Sequence, residues 1–206
     1  MKITKYTHSC IYVEDQGISI LIDPGNYSIQ EGLRPEMFST LNYLLITHEH
    51  QDHLYLPFVK QVIEKFPEVK ILTNKSIIKI LEQENIHVKV ESIPEISQFD
   101  APHEKALKSP PTNIGFTILG TLTHPGDSLS YAHSAPILAM PIVGSWGSTV
   151  DCLDKAIELG VKKVIPIHDW HWRQEAREWY YSMASDYLQP YGIDLVGMKD
   201  GIQTEM

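Results

Sequence analysis

Cysteine is scarce in this chain: Cys10 and Cys152 are the only two among 206 residues. A disulfide-stapled fold is therefore not expected, and two thiols so far apart suit a reducing compartment. Long apolar runs are missing as well. Nothing approaches the ~20 consecutive apolar residues that a membrane-spanning helix needs, so no membrane partner is expected. Basic residues are in deficit, 17 Lys and Arg against 26 Asp and Glu, for a net charge of -9. The lysines are dispersed, as at Lys60, Lys65, Lys70, Lys75 and Lys79. Nucleic-acid binders usually show a basic excess or cluster, so no nucleic-acid partner is expected either. A small anionic substrate stays admissible if bound cations offset the charge locally. No repeat, low-complexity tract or clear linker interrupts the chain. Met1 to Tyr6 passes straight into strand-like sequence, which reads as no signal peptide and, with the two thiols, as a cytoplasmic protein.

What remains is an ordinary globular balance, 43% hydrophobic and 21% charged. A chain this long suits one domain, residues 1–206, and can bury roughly 70% of its unfolded surface. Strand patterns fall at Ile3–Tyr6, Ile11–Val13, Ile18–Ile22 and Tyr43–Ile46, with a hairpin turn at Glu14-Asp15-Gln16-Gly17. Residues 24–40 are rich in turn formers and read as a long loop with one helical turn. Helices and strands then alternate. Phe58, Val59, Val62, Ile63 and Phe66 trace a helical face that Pro67 stops; Val69–Leu72 is a strand; Ile77, Ile78, Ile80 and Leu81 form a second helix. Further strands are expected at His87–Val90, Ile96–Asp100, Ile114–Leu119 and Val161–Ile167, and Pro136–Ile142 is a buried-looking run. Ser148 can cap a helix that Gly160 ends. Trp172, Ala176, Trp179, Tyr180, Met183, Ala184, Tyr187 and Leu188 fall on one helical face and read as core packing. The pattern is α/β (α+β), two β-rich halves each backed by helices, with ligands at strand ends.

The densest chemistry lies in Thr47-His48-Glu49-His50-Gln51-Asp52-His53, directly after the apolar Tyr43-Leu44-Leu45-Ile46. Imidazole and carboxylate ligate divalent transition metals. In an extended turn, residues two apart point the same way, so His48 and His50 can meet on one ion. Asp52 and His53 are adjacent and diverge, so they can turn toward a second ion, roughly 3.5–4 Å from the first in two-metal hydrolases. Two ions need more ligands than four. His103, Asp127 and His168 each follow an apolar, strand-like segment, and one sheet edge could gather them.

Thr47–His53 matches the HxHxDH signature of metallo-β-lactamase fold hydrolases. Leu21–Gly25 (LIDPG), Ala101–His103 (APH), His124–Ser128 (HPGDS) and Val164–His168 (VIPIH) follow in that family's order. The chain resembles its small bacterial metal-dependent hydrolase branch, which includes the ascorbate-6-phosphate lactonase-like proteins, over roughly residues 3–170. The resemblance implies a four-layer αββα sandwich. It also implies one ion on His48, His50 and His103, a second on Asp52, His53 and His168, and Asp127 bridging them. Asp23 resembles the family's buried aspartate that supports the ligand loop. Pro125, where relatives often have alanine, and the aromatic run Asp169-Trp170-His171-Trp172 depart from the pattern.

The activity so implied is hydrolysis by a hydroxide that two divalent ions share, on a small molecule such as a lactone or similar ester. All the candidate ligands are nitrogen or oxygen donors; zinc comes first, with manganese or iron as alternatives. Asp52 is expected both to ligate and to aim the nucleophile. His124 is the candidate proton donor to the leaving group. A phosphodiesterase or nuclease on the same core, or a metal-binding sensor without turnover, are the competing readings. His8 and Ser9 resemble a pocket-edge motif, with a plain turn as the alternative. Tyr27 and Arg34 are candidate substrate contacts, and Trp170, His171 and Trp172 candidate pocket walls. His87 and His133 read as structural, Cys10 as a buried thiol, and Gly144–Ser148 as a plain turn. Monomer and homo-oligomer are both left open.

Overall fold

The computed structural model describes residues 1–88, 93–105 and 109–206. It divides into two compact units, Met1–Glu91 with Lys199–Met206, and Ser92–Met198.

The first unit is built on a six-stranded sheet ordered β12-β1-β2-β3-β4-β5. Its strands are β1 (Lys2–Lys5), β2 (Ile11–Asp15), β3 (Ile18–Ile22), β4 (Tyr43–Ile46), β5 (Lys70–Thr73) and β12 (Gln203–Glu205). Strands β2 and β3 form the expected hairpin, with Asp15 opposite Ile18. Gln16 and Gly17 both take positive φ, 50° and 80°, as the tight turn matching strand twist requires. Strands β3, β4 and β5 run parallel. Their central runs, such as Leu44-Leu45-Ile46, are wholly buried, as strands covered on both faces must be. Helices α2 (Leu56–Lys65) and α3 (Lys75–Gln83) supply Phe58, Val59, Val62, Ile77 and Leu81 to a core shared with Cys10, Tyr12, Leu21 and Leu44. Asn74 caps α3 by accepting from the Ser76 and Ile77 amides. The loop expected over 24–40 holds two short helical pieces, α1 (Asn26–Gln30) and a 3₁₀ turn at Pro35–Met37. The buried Lys5 pairs with Asp200 at 3.5 Å and accepts the Gly201 amide, which ties the C-terminal segment to β1.

The second unit repeats the plan with a sheet ordered β11-β10-β9-β8-β7-β6. Its strands are β6 (Ile96–Asp100), β7 (Ile114–Ile118), β8 (Leu122–His124), β9 (Ile137–Pro141), β10 (Lys163–Ile167) and β11 (Asp194–Leu195). Helix α4 (Thr149–Leu159) opens on a full capping box between Ser148 and Asp151 and ends at Gly160 in the left-handed conformation. The expected strand at His87–Val90 reaches beyond the described residues; His87 itself is exposed, as is His133, so neither is the structural residue anticipated.

The expected face of the last helix is corrected. Helix α5 spans Gln174–Leu188, after Trp172, and its buried stripe includes only Ala184 and Leu188 of the anticipated series. Trp179, Met183 and Tyr187 are 58%, 48% and 40% exposed. The helix is rotated so that Arg177, Tyr181, Ala184 and Leu188, spaced as one helical stripe, face inward. Polar side chains lead that stripe because a buried carboxylate, Asp169, demands them. No helix of the described residues is long and apolar enough to cross a membrane.

Candidate metal centre

In the first unit the four ligands expected from the sequence, His48, His50, Asp52 and His53, lie in the loop that leaves β4. Its anchor is Asp23, at the end of β3 and wholly buried. One carboxylate oxygen accepts the Thr47 amide at 2.8 Å; the other accepts the Thr47 hydroxyl at 2.7 Å and His53 Nδ1 at 2.8 Å. A carboxylate beside Nδ1 favours the proton there, so the acceptor nitrogen of His53 is Nε2. The Thr47 hydroxyl, its own proton given to Asp23, can accept from His48 Nδ1 at 3.0 Å, which assigns His48 the same tautomer. One aspartate thus orients two imidazoles, the supporting role that the sequence suggested. His48 Nε2 and His50 Nδ1 face each other at 3.1 Å. One ligand atom each from Asp52, His53 and the buried His8 lies within 4.8 Å of the others. The strand end is pinned from the side: Asn74 Nδ2 donates to the Thr47 carbonyl at 3.0 Å, and the Ser76 hydroxyl to Glu49 at 2.8 Å.

In the second unit the ligands come from three separate strand ends. His103 follows β6, Asp127 follows β8 and His168 follows β10. His103 Nδ1 lies 2.6 Å from the Glu104 carbonyl and His168 Nδ1 lies 2.5 Å from the Val143 carbonyl. A carbonyl only accepts, so both rings carry hydrogen on Nδ1 and present Nε2 as acceptor. Both Nε2 atoms face Asp127 Oδ2, at 3.6 and 3.2 Å. Two acceptor nitrogens and a carboxylate oxygen do not attract one another, but all three are donors to a cation.

The loops that carry them are stitched by residues that the sequence did not advertise. Asn113 is buried; its Nδ2 donates to the carbonyls of Ala101 and Pro125 at 2.6 and 2.8 Å, and its Oδ1 accepts the Asp127 amide at 3.4 Å. The Glu104 amide donates to the Asp127 carbonyl, and the Glu104 carboxylate accepts from the Leu129 amide and the Ser130 hydroxyl. Asp169, wholly buried beside His168, receives the Tyr181 hydroxyl and lies 3.3 Å from Arg177 Nε. None of Asn113, Arg177 and Tyr181 stands out in the sequence. An i, i+4 polar pair aligned with Ala184 and Leu188 is the one signal that could have found the last two.

The remaining candidates are placed as follows. His124 is wholly buried and its Nδ1 accepts the Gly126 amide at 3.3 Å, so its proton sits on Nε2. Tyr27 lies edge-on to His8 at 5.1 Å. Its hydroxyl pKa is raised by burial and by Asp52. Arg34 is spent on the carbonyls of Ile29 and Leu33. Trp172 stacks on Tyr180 at 4.3 Å and packs against the core of the second unit. Trp146, in what the sequence presents as a plain turn, meets the rings of His103 and His168 at 6.4 and 5.8 Å. Cys10 and Cys152 are buried free thiols; burial pushes Cys10 far up and Cys152 up to about 12. Neither is an activated nucleophile.

Residues 2–168 match the family model described as the beta-lactamase superfamily domain. The protein Rv0786c of Mycobacterium tuberculosis is 25% identical over 199 residues, covering 90% of this chain and 92% of that protein. A UPF0173 protein of Pyrococcus abyssi is 27% identical over 183 residues, covering 82% and 83%. Among solved structures, a metallo hydrolase from Ignicoccus hospitalis aligns with a TM-score of 0.70 at 19% identity, over 100% of this chain and 98% of that one. The chain belongs to the beta-lactamase superfamily domain family. Its two sheets with flanking helices have the metallo-β-lactamase fold, the α/β class expected from the sequence.

Proposed function

We propose that this metal-dependent hydrolase of the metallo-β-lactamase superfamily cleaves a small lactone or similar ester with two divalent cations, and that residues 1–206 act as one domain. The observation that carries the reading is the presentation of donors. The Nδ1 atoms of His48, His53, His103 and His168 are engaged by fixed acceptors, which leaves their Nε2 atoms for a cation, and His50 offers Nδ1 beside His48 Nε2. On this reading His48, His50 and His103 would hold one ion, Asp52, His53 and His168 the other, and Asp127 would serve both. Nitrogen and oxygen donors without thiolate suit zinc, with manganese or iron as alternatives. The bound cations would lower the pKa of a water from 15.7 to about 7 and polarise the substrate's carbonyl.

The chain's own residues do the rest. Asp52 accepts a hydrogen bond from the attacking water and aims it. Asp127, with its oxygen facing two imidazoles, sets the spacing of the donors. His124 carries its proton on Nε2 and is the candidate donor to the departing oxygen. The lactone assignment rests on the resemblance to the ascorbate-6-phosphate lactonase-like branch, and an acidic chain with dispersed lysines agrees with a small substrate in a cytoplasmic setting.

The test is elemental analysis of the purified protein, followed by a panel of lactones, thioesters and phosphodiesters under zinc, manganese and iron. Two equivalents of metal and selective lactone or ester cleavage are expected. Preference for phosphodiesters would replace the substrate class, and a protein that takes up no metal would end the reading.

A further inference from the structure

We propose that His8 is a positioning residue for Asp52: it clamps one carboxylate oxygen so that Asp52 meets its ion and the attacking water in a single orientation. The inference rests on the two-ion reading above and adds a residue outside its seven ligands.

His8 lies in the turn between β1 and β2 with its ring wholly buried. Its φ of 65° is uncommon for a residue with a Cβ and aims the side chain where an ordinary turn would not. The turn is closed by the Tyr6 amide on the Cys10 carbonyl at 2.8 Å, and α1 holds it through the Ser28 hydroxyl on the Thr7 carbonyl at 2.9 Å. His8 Nε2 reaches Asp52 Oδ2 at 3.1 Å. The carboxylate accepts, so Nε2 donates. Tyr27 on one side and His53 on the other hold the imidazole edge-on, at 5.1 and 6.1 Å.

The Asp52 backbone is fixed from the same quarter. The Asn26 amide donates to the Gln51 carbonyl at 2.7 Å. Gly25 approaches so closely that a Cβ there would lie 1.8 Å from the Asp52 carbonyl oxygen. Asp23 therefore anchors residues 47, 48 and 53, while His8, Gly25 and Asn26 anchor residues 51 and 52. A hydrogen bond takes one of the roughly four lone-pair directions of a carboxylate and leaves the others for an ion and a water.

The experiment titrates the metal-free protein with Zn²⁺ and with Co²⁺, for the wild type, His8→Ala, His8→Gln, Asp52→Asn and the double variant His8→Ala/Asp52→Asn. Two ions should bind the wild type. In His8→Ala the affinity for one of the two ions, the one Asp52 would hold, should fall about 10- to 100-fold, the range for a residue that orients a ligand. The Co²⁺ absorption of that site should shift while the other ion is unchanged. Glutamine can donate from its own Nε2, so His8→Gln should restore most of the affinity. Removing His8 should cost nothing more once Asp52 is asparagine, because the pair acts as a unit. Wild-type ion affinity in His8→Ala overturns the proposal. So does a His8→Gln that melts like the wild type yet binds as poorly as the alanine variant. If His8→Ala does not fold, His8→Gln and Asp52→Asn decide the matter. A wild type that binds fewer than two ions would remove the two-ion reading itself, and this proposal with it.

Discussion

The two units present donors of the same kind by opposite means. In the first, all four candidate ligands leave one strand within six residues, His48 to His53, and a side-chain carboxylate, Asp23, orders the imidazoles. In the second, His103, Asp127 and His168 come from three strands, and main-chain carbonyls order the imidazoles. A contiguous loop needs one anchor on a neighbouring strand. Dispersed ligands need cross-stitching between loops, which Asn113, Glu104 and the α5 pair Arg177 and Tyr181 supply. The first arrangement concentrates its risk in one buried carboxylate, and the second spreads it over many modest bonds.

That contrast can be tested from its largest consequence downward. Asp127→Ala removes the carboxylate that faces both imidazoles of the second unit. We expect ion stoichiometry to fall below two and turnover to drop about a thousand-fold, equivalent to about 4 kcal/mol; near-normal metal content by elemental analysis would refute the shared role. Asp23→Asn keeps the shape but turns an acceptor of three hydrogen bonds into a partial donor. Ion affinity should fall about 10- to 100-fold, measured by chelator competition, and an effect no larger than that of Asn113→Ala would erase the contrast between units. Tyr181→Phe deletes one hydrogen bond to the buried Asp169 carboxylate. Urea unfolding should show a loss of about 1.5–3 kcal/mol, with ion stoichiometry kept, because Arg177 and the Val143 carbonyl still hold the His168 loop. The smallest effect concerns the thiols. Cys152, raised to about 12 by burial, stays protonated at pH 8, where its thiolate fraction is negligible. Mass spectrometry should find the native protein unalkylated by iodoacetamide at pH 8 and doubly alkylated once unfolded; rapid native labelling would mean that the cores open.

Much of the first unit was legible because its signals are local. The hairpin at Gln16 and Gly17, the strand before His48 and the helix opening at Leu56 each follow from a few neighbouring residues. In the second unit the capping box at Ser148 and the stop at Gly160 were legible for the same reason. The face of α5 was not. Apolar periodicity favoured the side bearing Trp179 and Met183, yet the helix turned Arg177 and Tyr181 inward to a buried carboxylate. Hydrophobic pattern weighs burial of apolar area; it cannot weigh an ion that needs partners where no water reaches.

The amino-acid order by itself pointed to the class of chemistry, since the histidines and aspartate of residues 48–53 match the signature of metal-dependent hydrolases, and it determined the strands and helices whose local pattern carries them. Only tertiary structure decided which nitrogen of each ring faces outward, that His8 reaches Asp52, and that Asn113 ties two loops together. Those outcomes depend on which acceptor lies within about 3 Å of a given hydrogen, and such distances between residues far apart in the chain exist only once the sheets have formed.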